Sequence, residues 1–434
     1  MKIKLTTFIT TLLFIIITAS SVSASPQITA PNAILMDYQT GEILYEKNAH
    51  TPAYPASTTK VLTALIVLEN LDLNEYITVD EDLFVIGSSM YLKKGETFTV
   101  DELLQALLIR SANDVAEVFA THISGSVEAF ADLMNQRAEE LGASDSHFTN
   151  PHGLPDDNHV STAYDLALIS RSAMENERFR EIVNTTRLTF DPTEQTPETR
   201  YFRNTNRFLW GTGGAHQILY NGQYIDIKYD KVDGIKTGYT GQAGNCLVSS
   251  AVNEDQRLIS VVLGTVGTNV YLDSRTLLDY GFDNYKLLNL INKSSVEQID
   301  NLMIKNGTSN SLTAFPESDL WAAVSINTHE VPYEKQIVLN EDLIAPIEEG
   351  QLIGEIRFLK NNQIISTNLL AMEAIPLKPF FQRLVDNNVF RVIIGVFLLW
   401  QCFIFILRSK RKRQRKYLSS HFKRSYKINR NLLK

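Results

Sequence analysis

The chain has 434 residues, 44% hydrophobic and 21% charged, with 41 lysines and arginines against 49 aspartates and glutamates. That length suffices for two domains and a large core, and the composition is that of a globular protein rather than a disordered or fibrous one. The net charge is −8, and no nucleic acid is expected as a partner.

Lys2 and Lys4 precede the apolar run Phe8 to Ala19, and Val22-Ser23-Ala24 supplies small residues where a signal peptidase reads. Residues 1–24 are therefore expected to be a signal peptide cleaved after Ala24. Ala33 to Asp37 and Glu42 to Tyr45 flank Tyr38-Gln39-Thr40-Gly41 and read as a hairpin. Pro55 ends an extended segment. Val61, Ala64, Leu65 and Leu68 then recur at the helical period, so a helix starts close to Ser57 and buries that face. Thr99-Val100-Asp101-Glu102 is a capping box leading Leu103, Leu104, Leu107 and Leu108 into a helix that ends at Arg110. Ser126 opens a helix carrying Phe130, Leu133, Met134 and Leu141, closed by Gly142, and Thr162 opens another with Leu166 and Ile169.

Residues from about 183 to 230 are polar, aromatic and give no clear period. Val232 to Thr240, Asn245 to Val252 and Arg257 to Leu263 then read as a meander, followed by a helix over Val270 to Tyr280. A hairpin at the start and a meander at the end complete one sheet. The predicted class is α/β in the broad α+β sense: an antiparallel sheet flanked by helices, with a largely helical insert. This first domain is placed at residues 25–290. Short β-type runs at Trp321 to Asn327, Lys335 to Leu339, Gln351 to Phe358 and Gln363 to Leu370 predict a small all-β domain over 293–375, with a linker at 376–388.

Val389 to Leu407 is apolar apart from Arg391 and Gln401 and would extend roughly 28 Å as a helix, close to the thickness of a bilayer core. Residues 408–434 hold twelve Lys and Arg and no Asp or Glu. The positive-inside rule makes this a transmembrane helix with a basic cytoplasmic tail, the body of the chain lying outside the membrane. Setting aside the twelve tail cations and the two leader lysines leaves 27 basic against 49 acidic side chains, so the exported body is near −22. Its sole cysteine is Cys246, since Cys402 lies in the apolar run, and an exported protein without disulfides suits a bacterial envelope.

Three short motifs carry chemistry. A serine hydroxyl is a poor nucleophile until a neighbouring base takes its proton, and Ser57-x-x-Lys60 places an amine one helical turn away. Alone the spacing is unspecific: it recurs at Ser409 to Lys412 and Ser420 to Lys423, and a capped helix with a surface lysine would look the same. Ser111-x-Asn113 falls in a turn between two helices. Lys236-Thr237-Gly238 lies in the first meander strand, where Gly238 lets a ligand's backbone come close. The three occur in this order, each on the element the chemistry needs, and the same triplet marks penicillin-binding proteins and class A β-lactamases.

With Leu108 to Asp114, Phe148 to Leu154, His159 to Ala163, Val232 to Thr240 and Ala345 to Gln351, the sequence resembles the D-alanyl-D-alanine carboxypeptidases among the low-molecular-mass penicillin-binding proteins, from about residue 27 to 375. The resemblance implies a DD-peptidase/β-lactamase-like fold and removal of the terminal D-alanine from peptidoglycan stem pentapeptides, with β-lactams as inhibitors. It implies that Ser57 is acylated, Lys60 is its base, Ser111 relays a proton and Asn113 binds the peptide. Lys236, helped by Thr237, would attract the substrate's terminal carboxylate, and the backbone N–H groups of Ser57 and Tyr239 would form the oxyanion hole. No cofactor or metal is implied. The spanning segment departs from the amphipathic C-terminal anchor of some relatives.

Other readings of the same residues are a catalytically idle penicillin or peptidoglycan sensor, a DD-endopeptidase, or a β-lactamase-like hydrolase. No Glu-x-x-Leu-Asn segment lies between Asn113 and Lys236, which disfavours fast β-lactam hydrolysis. His147, His152, Asp156, Asp157 and His159 cluster, but Pro151 and Pro155 make the segment a loop in which such residues cap turns rather than hold zinc. No Gly-x-Ser-x-Gly occurs to support a Ser-His-Asp hydrolase.

Overall fold

Residues 32–37 form the innermost part of the first unit, β1 (Asn32–Asp37), buried at every position. Ala33 and Leu35 enter one apolar cluster while Ile34 and Met36 enter another, as the two-residue period of a strand requires. The structure, a computed structural model, describes residues 25–328, 332–360 and 363–431. The leader read at residues 1–24 lies outside the described residues.

β1 is flanked by β2 (Ile43–Lys47) and, from the far end of the unit, by β3 (Val232–Thr240), β4 (Gly244–Asn253) and β5 (Gln256–Thr265). The sheet order is β2-β1-β5-β4-β3, antiparallel throughout, with Ile34 opposite Val261, Val261 opposite Val248 and Val248 opposite Lys236. β3 is thus an edge strand, with its free side open to other partners.

Six helices fill the insert: α1 (Lys60–Asn70), α2 (Val100–Gln105), α3 (Asn113–Ser124), α4 (Val127–Glu140), α5 (Ala163–Ala173) and α6 (Glu177–Asn184). α1 is buried continuously from Lys60 to Val67, so it is a central helix rather than an amphipathic surface one. It packs with Phe119, Phe130 and Phe148 against the Ile34, Val248 and Val261 face of the sheet. Each such fully buried apolar side chain stabilises the fold by about 1.5–3 kcal/mol. The expected capping box is present, Thr99 and Glu102 each accepting from the other's backbone. Ser126 and Thr162 cap α4 and α5 as read from the sequence. α7 (Asn269–Asn284) covers the opposite face through Leu277 and Leu278.

The stretch without a period resolves into two short hairpins, Arg187–Phe190 with Arg200–Arg203 and Gln217–Tyr220 with Gln223–Asp226, linked by 3₁₀ turns. Strands of four residues are too short to show alternation. One run is reassigned: Trp321 to Asn327 forms the strand Leu320–Ser325, which pairs with Tyr285–Ile291, and from Trp321 onward it groups with the first unit. Alternation reveals a strand without revealing its partner.

The second unit contains a five-stranded antiparallel sheet in the order Glu297–Ile299, Leu312–Pro316, Gln363–Ala371, Leu352–Lys360, Glu334–Leu339. Ile353, Ile356, Leu369 and Ala371 supply its core. A helix over Asn388–Asn431 follows, and its Asn388–Ser420 portion is long and apolar enough to cross a membrane, with a mean hydropathy of 2.4 over its most apolar window.

Candidate active site

Ser57 lies in a 3₁₀ turn, Ala56–Thr59, that runs directly into α1. Free N–H groups and the positive end of the helix dipole therefore gather beneath it. From Pro55 to Lys60 every residue except Ser57 is buried. The neighbouring threonines fix the turn: Thr58 Oγ1 donates to Pro55 O at 2.6 Å and Thr59 Oγ1 to Ala56 O at 2.9 Å.

The Thr149–Leu154 loop is moulded onto this turn. Thr149 N–H donates to His159 Nδ1 at 3.0 Å, so the imidazole proton sits on Nε2 and reaches Thr59 Oγ1 at 2.9 Å. Burial pushes His159 down to about 4, keeping it neutral in that role. Pro151 O accepts from Thr63 Oγ1 at 2.6 Å. Gly153, at φ +86°, rests with its Cα against Ala56 O, and a Cβ there would lie 1.9 Å from that oxygen.

Lys60 is buried, with Nζ 3.1 Å from Ser57 Oγ, 2.6 Å from Asn113 Oδ1 and 2.7 Å from His152 O. Burial, and secondly the charge of Lys236, hold its pKa well below the ordinary lysine range. A neutral amine has two N–H donors and one lone pair. Asn113 Oδ1 and His152 O take the donors, which leaves the lone pair for the Ser57 hydroxyl. That is the arrangement a general base needs.

The opposite wall is the free edge of β3. A Cβ on Gly238 would stand 3.0 Å from Pro55 O and 3.1 Å from Ser57 N, so glycine is what lets the strand lie against the nucleophile's turn. Lys236 is buried, donates to Thr237 O at 2.8 Å and is pushed down to about 7 by burial alone. Thr237 Oγ1 donates to Thr205 Oγ1 at 2.7 Å.

A cavity of about 640 Å³ is lined by Ser57, Ser111, Asn113, Thr237, Gly238 and Tyr239, so six of the eight residues singled out from the sequence face one space. Lys60 and Lys236 sit buried beneath its walls. Ser111 follows a π-helical turn, Ala106–Arg110, and takes the left-handed conformation at φ +65°, which turns it into the cleft. Asn113 Oδ1 accepts from Lys60 while its Nδ2 donates to Ile86 O at 2.6 Å. Its side chain thereby orients the base. Sequence reasoning missed Thr205 and Arg207, which also line the cavity. They come from the segment without periodicity, where no pattern marks them.

A central-sheet fold with helices on both faces, a serine at a helix start and a buried lysine of lowered pKa within hydrogen-bond reach define an active-site-serine enzyme of the acyl-transfer class. Comparison with known proteins makes this specific. The D-alanyl-D-alanine carboxypeptidase family model matches residues 18–267, and the penicillin-binding protein 5 C-terminal domain model matches residues 285–377. The chain is 30% identical over 349 residues to D-alanyl-D-alanine carboxypeptidase DacF of Bacillus subtilis, covering 79% of this chain and 84% of that one. It is 31% identical over 400 residues to DacA of Haemophilus influenzae, covering 86% and 94%. Penicillin binding protein 5 from Haemophilus influenzae superposes with a TM-score of 0.66 at 29% identity, over 81% of this chain and 99% of that one. The chain belongs to the D-alanyl-D-alanine carboxypeptidase family of serine peptidases.

Proposed function

We propose that the protein is a penicillin-binding D-alanyl-D-alanine carboxypeptidase that trims the last D-alanine from peptidoglycan stem peptides. The observation that carries this reading is the 3.1 Å contact between Ser57 Oγ and Lys60 Nζ, an amine whose pKa burial lowers well below the ordinary lysine range. Ser57 Oγ attacks the carbonyl carbon of the penultimate D-alanine as its proton passes to Lys60. The tetrahedral oxyanion rests on the backbone N–H groups of Ser57 and Tyr239, where each donor is worth about 10²- to 10³-fold in rate. The C–N bond breaks, and the departing amine takes a proton through Ser111. Water then releases the acyl group, which leaves a peptide shortened by one residue. Lys236 and Thr237 hold the terminal carboxylate through charge-assisted bonds. A β-lactam stops at the ester.

Replacing Ser57 with alanine is expected to abolish both the penicillin adduct, read by mass spectrometry of the intact protein, and D-alanine release from a stem pentapeptide. An intact adduct in the native protein without D-alanine release would instead make it a binding protein alone.

In this reading Val389 to Leu407, within that helix, spans the membrane, with the basic residues from Arg408 onward on the cytoplasmic side. The exposed apolar surface of that helix and the one-sided charge of its flank support it. A cysteine replacing Ser419 should resist a membrane-impermeant maleimide in intact cells and react after permeabilisation; labelling without permeabilisation would reverse the orientation.

A further inference from the structure

The Asn204–His216 segment has a second cavity besides the catalytic cleft. Thr205 and Arg207 line the cleft, whereas Leu209, Trp210 and His216 line a separate space of about 600 Å³ that Arg187, Arg203 and Lys228 complete. Among the described residues no aspartate or glutamate lines it. In a body whose net charge is near −22, so many cations around one hollow run against the general field.

Arg187 and Arg203 are direct cross-strand partners in the hairpin Arg187–Phe190 with Arg200–Arg203. Like charges directly opposite each other destabilise a strand pair, so this placement costs stability unless an anion sits between them. Among the described residues neither guanidinium makes an ion pair. Arg203 is held over the Trp210 ring at 4.4 Å, and the indole is itself fixed by Nε1 donating to Asn204 O at 2.8 Å. His216 stands edge-on to the same ring with a buried Nδ1 that has no partner among the described residues. Lys228 pairs with Asp230, but that carboxylate is 87% exposed, and a pair so solvated holds little. Asp226, the other nearby acid, accepts from Gly213 N–H and the Gln217 amide.

We propose that this cavity binds a phosphate ester carried on a sugar or polyol. Two planar guanidinium forks and an ammonium from separate segments suit the several oxygens of a phosphate, whereas one fork already satisfies a carboxylate. The hollow exceeds what a bare phosphate fills, and Leu209 and Trp210 give it an apolar wall for a carbon skeleton. Because the catalytic cleft is built on the same segment, a polymer held here would keep the enzyme beside its wall substrate.

The test is calorimetric titration of the full chain in detergent with inorganic phosphate, glycerol 3-phosphate and an oligo(glycerol phosphate). Both esters are expected to bind saturably. Arg187→Gln and Arg203→Gln should each weaken binding about tenfold or more, since a charged hydrogen bond is lost, with D-alanine release unchanged. Lys228→Gln should weaken it as well. Without ligand, Arg187→Gln should melt no lower than the native chain, because a like-charge pair is relieved. Tighter binding of the oligomer per phosphate assigns a polymer as the source, and equal affinity assigns a free ester; either supports the site. Absence of saturable binding, or the same affinity in the doubly substituted arginine variant, overturns it. Inorganic phosphate binding as tightly as the esters overturns the sugar or polyol.

Discussion

Lys60→Met should leave a folded protein whose penicillin acylation is slower by about 10⁴-fold or more, the loss expected when the general base of a nucleophile is removed. Methionine approximates the buried stem of the lysine and carries no charge, so the variant introduces no new buried cation. It does leave Asn113 Oδ1 and His152 O without their donor, which costs about 1–3 kcal/mol per group and should appear as a lower melting temperature. Acylation within tenfold of native would remove Lys60 from the mechanism. The pH profile supplies an independent check. Activity requires neutral Lys60, so acylation falls as pH drops through its lowered pKa. The positive charge of Lys236 contributes to that lowering. Lys236→Gln should therefore raise the Lys60 pKa and move the acid limb to higher pH. Burial pushes Lys236 itself down to about 7, so its pull on a free carboxylate weakens above that pH until bound substrate raises it.

The parts of the site that repeat a sequence pattern were legible, and those made by tertiary contact were not. Helical spacing was enough to bring Lys60 to Ser57, because residues three apart share a face. The break at Arg110 marked the turn carrying Ser111 and Asn113, and β alternation placed Lys236 and Thr237 on a strand. Nothing in the spacing showed that β3 is the sheet's free edge, which depends on β1 pairing with β5 across more than two hundred residues. Nor did it show that Asn113 would be occupied by Lys60 and Ile86. His152 and His159 read as loop residues that cap turns, and they do lie in a loop. That their target is the nucleophile's own turn, a hundred residues earlier, follows from packing alone. No sequence pattern singles out Arg187 and Arg203, which a hairpin of four-residue strands sets opposite each other.

Gly153→Ala is expected to cost at least 10²-fold in acylation although residue 153 carries no reacting group. The added Cβ would lie 1.9 Å from Ala56 O, 2.4 Å from Ala56 C and 2.9 Å from Thr59 Oγ1, all far inside van der Waals contact. Two of these atoms are backbone and cannot swing away. Ala56 O is already held by Thr59 Oγ1, which His159 holds in turn, so relief requires moving either the turn that carries Ser57 or the loop whose His152 carbonyl holds Lys60. A displacement near 1 Å at a reacting atom is worth about 10²-fold. The left-handed backbone at φ +86° adds its own penalty of about 1–2 kcal/mol for any residue with a Cβ. Gly125→Ala separates the two effects: at φ +82°, with nothing within 4 Å of its Cβ, it carries the backbone penalty without the collision. Gly125→Ala should lower the melting temperature slightly and label with penicillin at the native rate. Gly153→Ala should lose both stability and labelling, and equal behaviour of the two variants would show that the loop does not hold the nucleophile in place.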